Sequence, residues 1–419
     1  MCESLLSPLT PHPVRTFGEA SVEPLTLTAE ASPLKRIFIS TGEVAGDLQG
    51  GLLIEALQRQ AIDLGWELEI VALGGEKMAA AGATLLGDTS SIGSVGIFES
   101  LPFVLPTLKL QKRAIAHLKE HPPDLVVLID YAQPNLNIGK YLHRELPHVP
   151  IVYYIAPQVW VWAMNSRNTE QIVEITDKVL AIFPEEAKYF EQHGGKVVWV
   201  GHPLVDRMET APSRDAARAK LAIPPEQTAI ALLPASRRQE LKYLLPVMLQ
   251  AAKTLQEKLP QVHFWIPLSL EIYRKPIEQA LKQYGINATV RSGQTLEILA
   301  AADLAITKSG TVNLEIALLN VPQVVIYRVS PVTAWIGRSL LKFSIPFMSP
   351  PNLVEMKAIV PELLQEQATQ ENIVQNALDM LLERRRQQIL ADYAQMRRAL
   401  GEVGVCDRAA QEILQVLSK

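Results

Sequence analysis

The chain has almost no cysteine. Its 419 residues include two, Cys2 and Cys406, which give neither a disulfide framework nor a metal-binding spacing. A reducing compartment is the plain expectation. No run of about 18 uninterrupted apolar residues occurs, so a transmembrane helix is not expected. The first 35 residues hold Pro, Ser, Thr and Glu without a basic start leading into an apolar core. That argues against a secretion signal and for a disordered leader over 1–35. Positive charge is not in excess: 40 Lys and Arg stand against 44 Asp and Glu, a net of −4. A nucleic-acid partner, which calls for a basic patch, is not expected. No Asp-x-Asp pair falls at a strand end, and no metal or other cofactor is expected. What is present is ordinary globular composition, 48% hydrophobic and 20% charged, at a length that suits two domains of roughly 150–200 residues each.

Apolar, β-branched runs alternate with helical patterns from residue 36 onward. The first half predicts strands at Arg36–Ser40, Leu68–Leu73, Leu125–Asp130, Ile151–Ile155, Lys178–Phe183 and Lys196–Val200. Several are continuous rather than alternating, as in parallel strands covered on both faces. Helices fit between them, around Asp47–Arg59 and Thr107–Glu120. The pattern pauses at Gly201-His202-Pro203 and restarts with strands at Thr228–Leu233, Val262–Ile266, Ala288–Arg291, Asp303–Ile306 and Gln323–Tyr327. The expected fold is therefore α/β, with two Rossmann-like doubly wound domains facing across a cleft. The division is placed at 36–204 and 205–370, with a hinge near 202–215. The tail from 371 to 419 reads as helices that pack back across the domains.

Several strand ends carry chemistry. Lys308-Ser309-Gly310-Thr311 lies between a short strand and a helical pattern. There a glycine lets the backbone approach, and helical N–H groups face an anion. A second such loop, Pro234-Ala235-Ser236-Arg237-Arg238-Gln239-Glu240, follows the strand Thr228–Leu233, and Arg237 offers a fixed fork of donors to phosphate. Two such loops in one half suggest a bound diphosphate. The first strand ends in Thr41-Gly42-Glu43-Val44-Ala45-Gly46-Asp47. Its glycines permit a tight turn and close ligand approach, with Glu43 or Asp47 on sugar hydroxyls. Equally, Asp47 caps a helix. Asp130 follows four apolar residues at a strand tip, where it is either a general base or a structural acid bonding loop N–H groups. Past the next strand, Gln158 sits among aromatic residues, with Trp160 and Trp162 either on ligand or in an interdomain corner. His202 at the hinge is an acid, a base, a phosphate donor or a structural residue. Asn352 in Ser349-Pro350-Pro351-Asn352 bonds a ligand or caps the turn. Phe98, Leu101, Phe103, Val104 and Leu105 lie in an apolar, Pro-punctuated stretch followed by cations. That stretch is either a membrane and acyl-chain surface or a core-facing helix.

Taken in order over about residues 36–370, these runs resemble the lipid-A-disaccharide synthase family, glycosyltransferases of the two-domain B-type fold. The resemblance is carried by Gly42-Glu43 with Gly46-Asp47, Gly74-Gly75 with Met78, Val95 to Glu99, Ile129-Asp130 with Asn135, Pro157 to Trp160 and Gly201-His202-Pro203. It continues through Ser236-Arg237 with Glu240, Ser309-Gly310-Thr311 with Leu314-Glu315, and Ser349 with Pro351 to Leu353. It implies transfer of 2,3-diacylglucosamine from UDP to 2,3-diacylglucosamine 1-phosphate, forming a β-1,6 disaccharide. Asp130 then becomes the catalytic residue. Gly42, Glu43, Gly46, Asp47, Gln158, His202, Ser236, Arg237, Glu240, Ser309, Gly310, Thr311, Glu315 and Asn352 become substrate contacts, with Arg237 on the UDP side. The implied partners are a UDP-sugar donor, an acylated glucosamine phosphate acceptor and a membrane surface. The implied place is the cytoplasmic face of the inner membrane of a Gram-negative-type bacterium, held peripherally. A homo-oligomer is left open.

The chain departs from the family pattern at Ala45, where a Ser is usual, at Gln133 and Pro134, at Ala235 in place of Gly, and at Pro350. These bear on acceptor preference and rate. Other readings stay open: another UDP-sugar transferase or a 2-epimerase of the same fold, or a nucleotide-sugar-binding homologue without turnover.

Overall fold

A computed structural model describes residues 32–89, 97–162, 167–235, 238–330 and 347–418, without the side chains of Glu43, residues 97–103, Trp162, Arg238 and Gln239. Two all-parallel sheets organise it. The first contains β1 (Leu34–Ser40), β2 (Glu67–Gly74), β3 (Thr84–Asp88), β4 (Leu125–Ile129), β5 (Ile151–Tyr154), β6 (Lys178–Ala181) and β7 (Val197–Trp199), in the order β3-β2-β1-β4-β5-β6-β7. The second contains β8 (Thr228–Leu233), β9 (Val262–Leu268), β10 (Ala288–Ser292), β11 (Leu304–Lys308), β12 (Gln323–Tyr327) and β13 (Glu362–Leu364), in the order β10-β9-β8-β11-β12-β13. The doubly wound α/β expectation holds.

Continuous apolar strands need cover on both sides, and they have it. Along β1, Ile37 and Ile39 enter one core with Leu53 and Leu57, while Phe38 enters the opposite core with Val126 and Leu128. Every residue of β4 is buried, as expected for a central parallel strand. The sequence reading did not include β3 and β13. Both are edge strands, and part of each is open to solvent. The helix expected over Thr107–Glu120 begins ten residues earlier, at Ile97, so Pro102 and Pro106 fall inside it.

Each sheet reverses its winding once, between β1 and β4 and between β8 and β11. Ligands of open α/β sheets bind outside the carboxyl ends of strands at such switch points. The four strand ends concerned lead into Gly42, Asp130, Pro234-Ala235 and Ser309-Gly310. Those are the loops selected from sequence.

After β13 the described tail forms three helices, Gln370–Met380, Glu383–Leu400 and Val405–Leu417. The last lies against the first helix, Glu43–Asp63. Arg59 pairs with Asp407 at 2.9 Å and Lys178 with Glu412 at 2.7 Å. Among the described residues no helix is long and apolar enough to cross a membrane.

Candidate active site

The tips of β1 and β4 are stitched together by Asn135. Its amide nitrogen donates to the carbonyls of Ile129, Asp130 and Ser40, and its oxygen accepts from the Ser40 hydroxyl at 2.7 Å. This brace holds an unusual backbone. Asp130 and Tyr131 have φ of 44° and 48°, and Ile155 at the tip of β5 has 59°. Left-handed backbone disfavours residues with a side chain and persists where neighbours over-determine it, often at functional sites. Here the Asp130 N–H donates to Ile155 O, and the Tyr153 hydroxyl donates to Asp130 O at 2.7 Å. Burial and the Asp130 charge push Tyr153 well above the usual tyrosine pKa, so it keeps its proton and donates. The outcome is an exposed Asp130 side chain at the mouth of a cleft.

A cavity of about 290 Å³ opens beside it. Its first-sheet wall includes Gly46, Gln49, Asp130, Gln158, Glu186 and His202, and Thr311, Leu314 and Pro350 close it from the second sheet's side. Trp160, Phe183 and His202 form a ring-to-ring series, with centroids 5.8 and 5.4 Å apart. His202 is buried, and burial lowers its pKa to about 3. Its Nδ1 accepts the Leu204 N–H at 3.2 Å, which assigns the proton of the neutral ring to Nε2. Burial thus removes the charged-acid alternative for His202 near neutral pH and leaves a neutral N–H donor.

The glycines of the first loop have packing reasons. A Cβ on Gly42 would lie 2.4 Å from the Tyr131 ring, and one on Gly46 would lie 1.9 Å from Thr41 Oγ1. The atoms approaching these glycines are side chains of the chain itself. Asp47 is likewise committed. Its carboxylate accepts the N–H groups of Gly75, Lys77 and Met78 at 2.7, 3.0 and 3.1 Å. It caps the next helix, Glu76–Ala80, rather than its own. The Glu43 side chain lies outside the described residues.

On the second sheet, the loop after β11 is compact. The Lys308 ammonium sits so close over Gly310 that a Cβ there would be 2.8 Å from Nζ. Lys308 also approaches Glu240 at 3.7 Å. Asn313 takes the Gly310 N–H on its own side-chain oxygen at 2.8 Å, so that donor is already used within the loop. Ser309 donates to Met348 O at 2.6 Å and ties this loop to the segment before Pro350. Glu315 pairs with Arg207 at 2.5 Å. Burial raises its pKa while the guanidinium draws it down. Asn352 is fully spent: its nitrogen donates to Val360 O and Glu362, and its oxygen accepts from Ile359 and Val360. That geometry favours the turn-bracing alternative over ligand contact. Ser236 and Arg237 lie outside the described residues.

The structure also brings in two residues that the sequence reading did not single out. Gln49 and Glu186 both line the cavity and are 5% and 1% exposed. One Glu186 oxygen accepts the N–H groups of Ile182 and Phe183 at 2.8 and 3.2 Å, capping the helix Pro184–Gln192. A signal existed in Phe183-Pro184-Glu185-Glu186, which puts Pro at the first helical position and Glu at the third, just past a strand.

The departures from the expected pattern are accommodated. Pro350 begins the helix Pro350–Val354, where a missing N–H costs nothing. Gln133 faces solvent and bonds Asn137 at 3.0 Å. Ala235 offers its carbonyl to Ser269 at 3.0 Å.

The model of the family described as lipid-A-disaccharide synthetase matches residues 37–416. The lipid-A-disaccharide synthase of Gloeothece citriformis is 62% identical over 380 residues, covering 90% of this chain and 99% of that protein. The chain belongs to the lipid-A-disaccharide synthase family. The Synechocystis member is 58% identical over 383 residues, covering 91% of this chain and 97% of its own. The family makes the chain a glycosyltransferase of lipid A disaccharide synthesis. Solved structures share the fold at low identity. The S. aureus MnaA–UDP co-structure aligns with TM-score 0.65 at 14% identity, over 92% of this chain and 97% of that one. A Methanocaldococcus jannaschii UDP-GlcNAc 2-epimerase, in complex with UDP-GlcNAc and UDP, aligns with TM-score 0.57 at 14% identity, over 91% and 99%. The architecture of this lipid-A-disaccharide synthase family chain is therefore the B-type glycosyltransferase fold.

Proposed function

We propose that this chain transfers 2,3-diacylglucosamine from UDP to the 6-hydroxyl of 2,3-diacylglucosamine 1-phosphate, with inversion at the anomeric carbon. The observation that carries the reading is the exposed Asp130 side chain, set on strained backbone at a switch point and facing a cavity closed by Thr311. Asp130 takes the proton of the acceptor hydroxyl as that oxygen bonds to the anomeric carbon. The bond to UDP breaks on the opposite face, and its electron pair leaves with the diphosphate. Such displacement from an α-linked donor gives a β-linked product in one step, as a carboxylate base does in inverting glycosidases. The charge growing on UDP is met by the Lys308 ammonium over Gly310, by the backbone N–H and hydroxyl of Thr311, and by Arg237.

The acyl chains of both substrates call for a lipid-facing surface. On the helix Ile97–Glu120, Val104, Leu105 and Leu108 are 45%, 69% and 44% exposed, and exposed Lys109, Lys112 and Arg113 follow them. This supports peripheral attachment to an anionic membrane face, which is the inner face of the plasma membrane in the proposed reaction.

The test is Asp130→Asn with both lipid substrates. Turnover should fall by ~10²–10⁴, the usual contribution of a general base, while UDP binds as in the parent. The anomeric proton coupling of the product should report a β linkage. Near-parental turnover would remove Asp130 from the chemistry, and an α product would end the single-displacement scheme.

A further inference from the structure

The cavity wall contains two polar atoms for which the protein supplies no partner. The Gln49 amide oxygen and Oε1 of Glu186 are both buried and both without a hydrogen bond. They come from different elements, the first helix and the helix after β6. Buried polar atoms are normally satisfied, because an orphan has given up its hydrogen bonds to water without replacement. Two orphans lining one cavity at the mouth of which Asp130 stands point to a ligand that completes them.

The chemistry of that ligand follows from the pair. The Gln49 oxygen accepts and needs an O–H or N–H. Glu186 is removed from water, and burial pushes its pKa up to about 8, with a smaller push from the Asp130 charge. The backbone of Ile182, Phe183 and Ala156 offsets part of this, and none of it reaches Oε1 with a hydrogen bond. Near neutrality Glu186 therefore holds a proton and presents an O–H. His202 adds an Nε2–H donor on the same wall. One acceptor and two donors, set beside the Trp160 and Phe183 rings, match a sugar ring, which has hydroxyls on its edge and apolar C–H faces.

We propose that Gln49 and Glu186 form a hydroxyl-binding subsite for a glucosamine ring on the floor of the cleft, with Glu186 acting as a neutral hydrogen-bond donor. The proposal rests on the nucleotide-sugar reading above and adds which groups hold the ring beside the base. Both substrates carry such a ring, and the kinetics decide between them.

The experiment uses the full chain and four proteins: parent, Gln49→Leu, Glu186→Leu and Glu186→Gln. The KM of the UDP-sugar and the KM of the lipid acceptor are measured separately, with UDP affinity alongside. Gln49→Leu and Glu186→Leu should each raise one KM by about 10-fold, the worth of a hydrogen bond, and leave UDP affinity alone. The substrate whose KM moves owns the ring. Glu186→Gln keeps an N–H at the orphan position and a carbonyl for Ile182 and Phe183, so it should stay within about 3-fold of the parent. Should Glu186→Leu fail to fold, Gln49→Leu on its separate helix still decides the subsite. Unchanged KM values for both substrates would overturn it. A Glu186→Gln protein as impaired as Glu186→Leu would overturn the neutral-donor role. A parent that does not bind UDP would instead sink the nucleotide-sugar reading, so the two failures are told apart.

Discussion

Burial and hydrogen bonding, rather than residue type, sort the side chains around the cleft. Asp47 and Asp130 are both acids near strand ends, yet one is consumed by three backbone N–H groups and the other points to solvent. Glu186 differs from both, since its pKa rises to about 8. Between the ordinary glutamate value of 4.5 and about 8, the folded chain keeps a proton that the unfolded chain has released. Stability from this source is complete below the unfolded value and is lost as pH rises through the folded one, by at most about 1.4 kcal/mol per pH unit. Glu186→Gln has no proton to lose. Its melting temperature should therefore gain on the parent's as pH rises from about 5 to about 8. A constant difference across that window would show that Glu186 titrates normally. The Asp130 charge, which also raises the Glu186 pKa, is common to both proteins, and His202 lines the same cavity. His202 has the opposite sense: its contribution is present above its ordinary 6.5 and is lost toward about 3, and it cancels in the comparison. Asp130 was legible in the sequence because four apolar residues precede it. Gln49 and Glu186 were not, because each is one ordinary helical residue among many until the folded chain turns it toward a shared cavity.

Strands and loops were read better than helix starts and sheet edges, and the reasons are physical. Central strands such as β4 and β8 are unbroken apolar runs because both faces are covered. The edge strand β3, Thr-Leu-Leu-Gly-Asp, is short and half open, so neither run nor alternation marks it. Prolines at 102 and 106 read as punctuation by local rule, yet one helix spans Ile97–Glu120. The continuity of that helix bears on membrane binding. Val104, Leu105 and Leu108 share a face at helical spacing, and Lys109, Lys112 and Arg113 are exposed beyond them. Removing a Leu side chain from contact with lipid forfeits about 1.5–3 kcal/mol. Leu105→Glu should therefore lower co-sedimentation with anionic phospholipid vesicles by at least about 10-fold. UDP affinity, which the proposed reading assigns to the other sheet's loops, should not change. Equal vesicle binding by variant and parent would place the lipid-facing surface elsewhere.

Across the whole molecule, the short helix Leu204–Glu209 works as a crosspiece between the sheets, because neighbouring side chains on it reach in two directions. Asp206 accepts the N–H groups of Gly404, Val405 and Cys406 at 2.7, 3.0 and 2.7 Å, fixing the start of the helix that returns to the first lobe. Arg207 reaches the second lobe and pairs with Glu315, three residues into the helix that follows the Gly310 loop. The His202 N–H adds a bond to Leu400 O at 2.8 Å, joining the hinge to the descending tail. Among the described residues these directed polar contacts add to an apolar core that draws on both sheets and on the tail helices, while each lobe keeps its own sheet. Glu315 is the vulnerable member, being buried with a guanidinium as its charge partner. Arg207→Leu strands that carboxylate and should cost ~2–3 kcal/mol, because a buried unpaired charge is worse than no charge. Replacing both partners, Arg207→Leu with Glu315→Leu, should recover much of the loss in denaturant unfolding. A double variant as unstable as the single one would mean that the pair acts through packing alone. The crosspiece would then be a spacer and not the electrostatic link between the lobe that carries Asp130 and the lobe that carries the Gly310 loop.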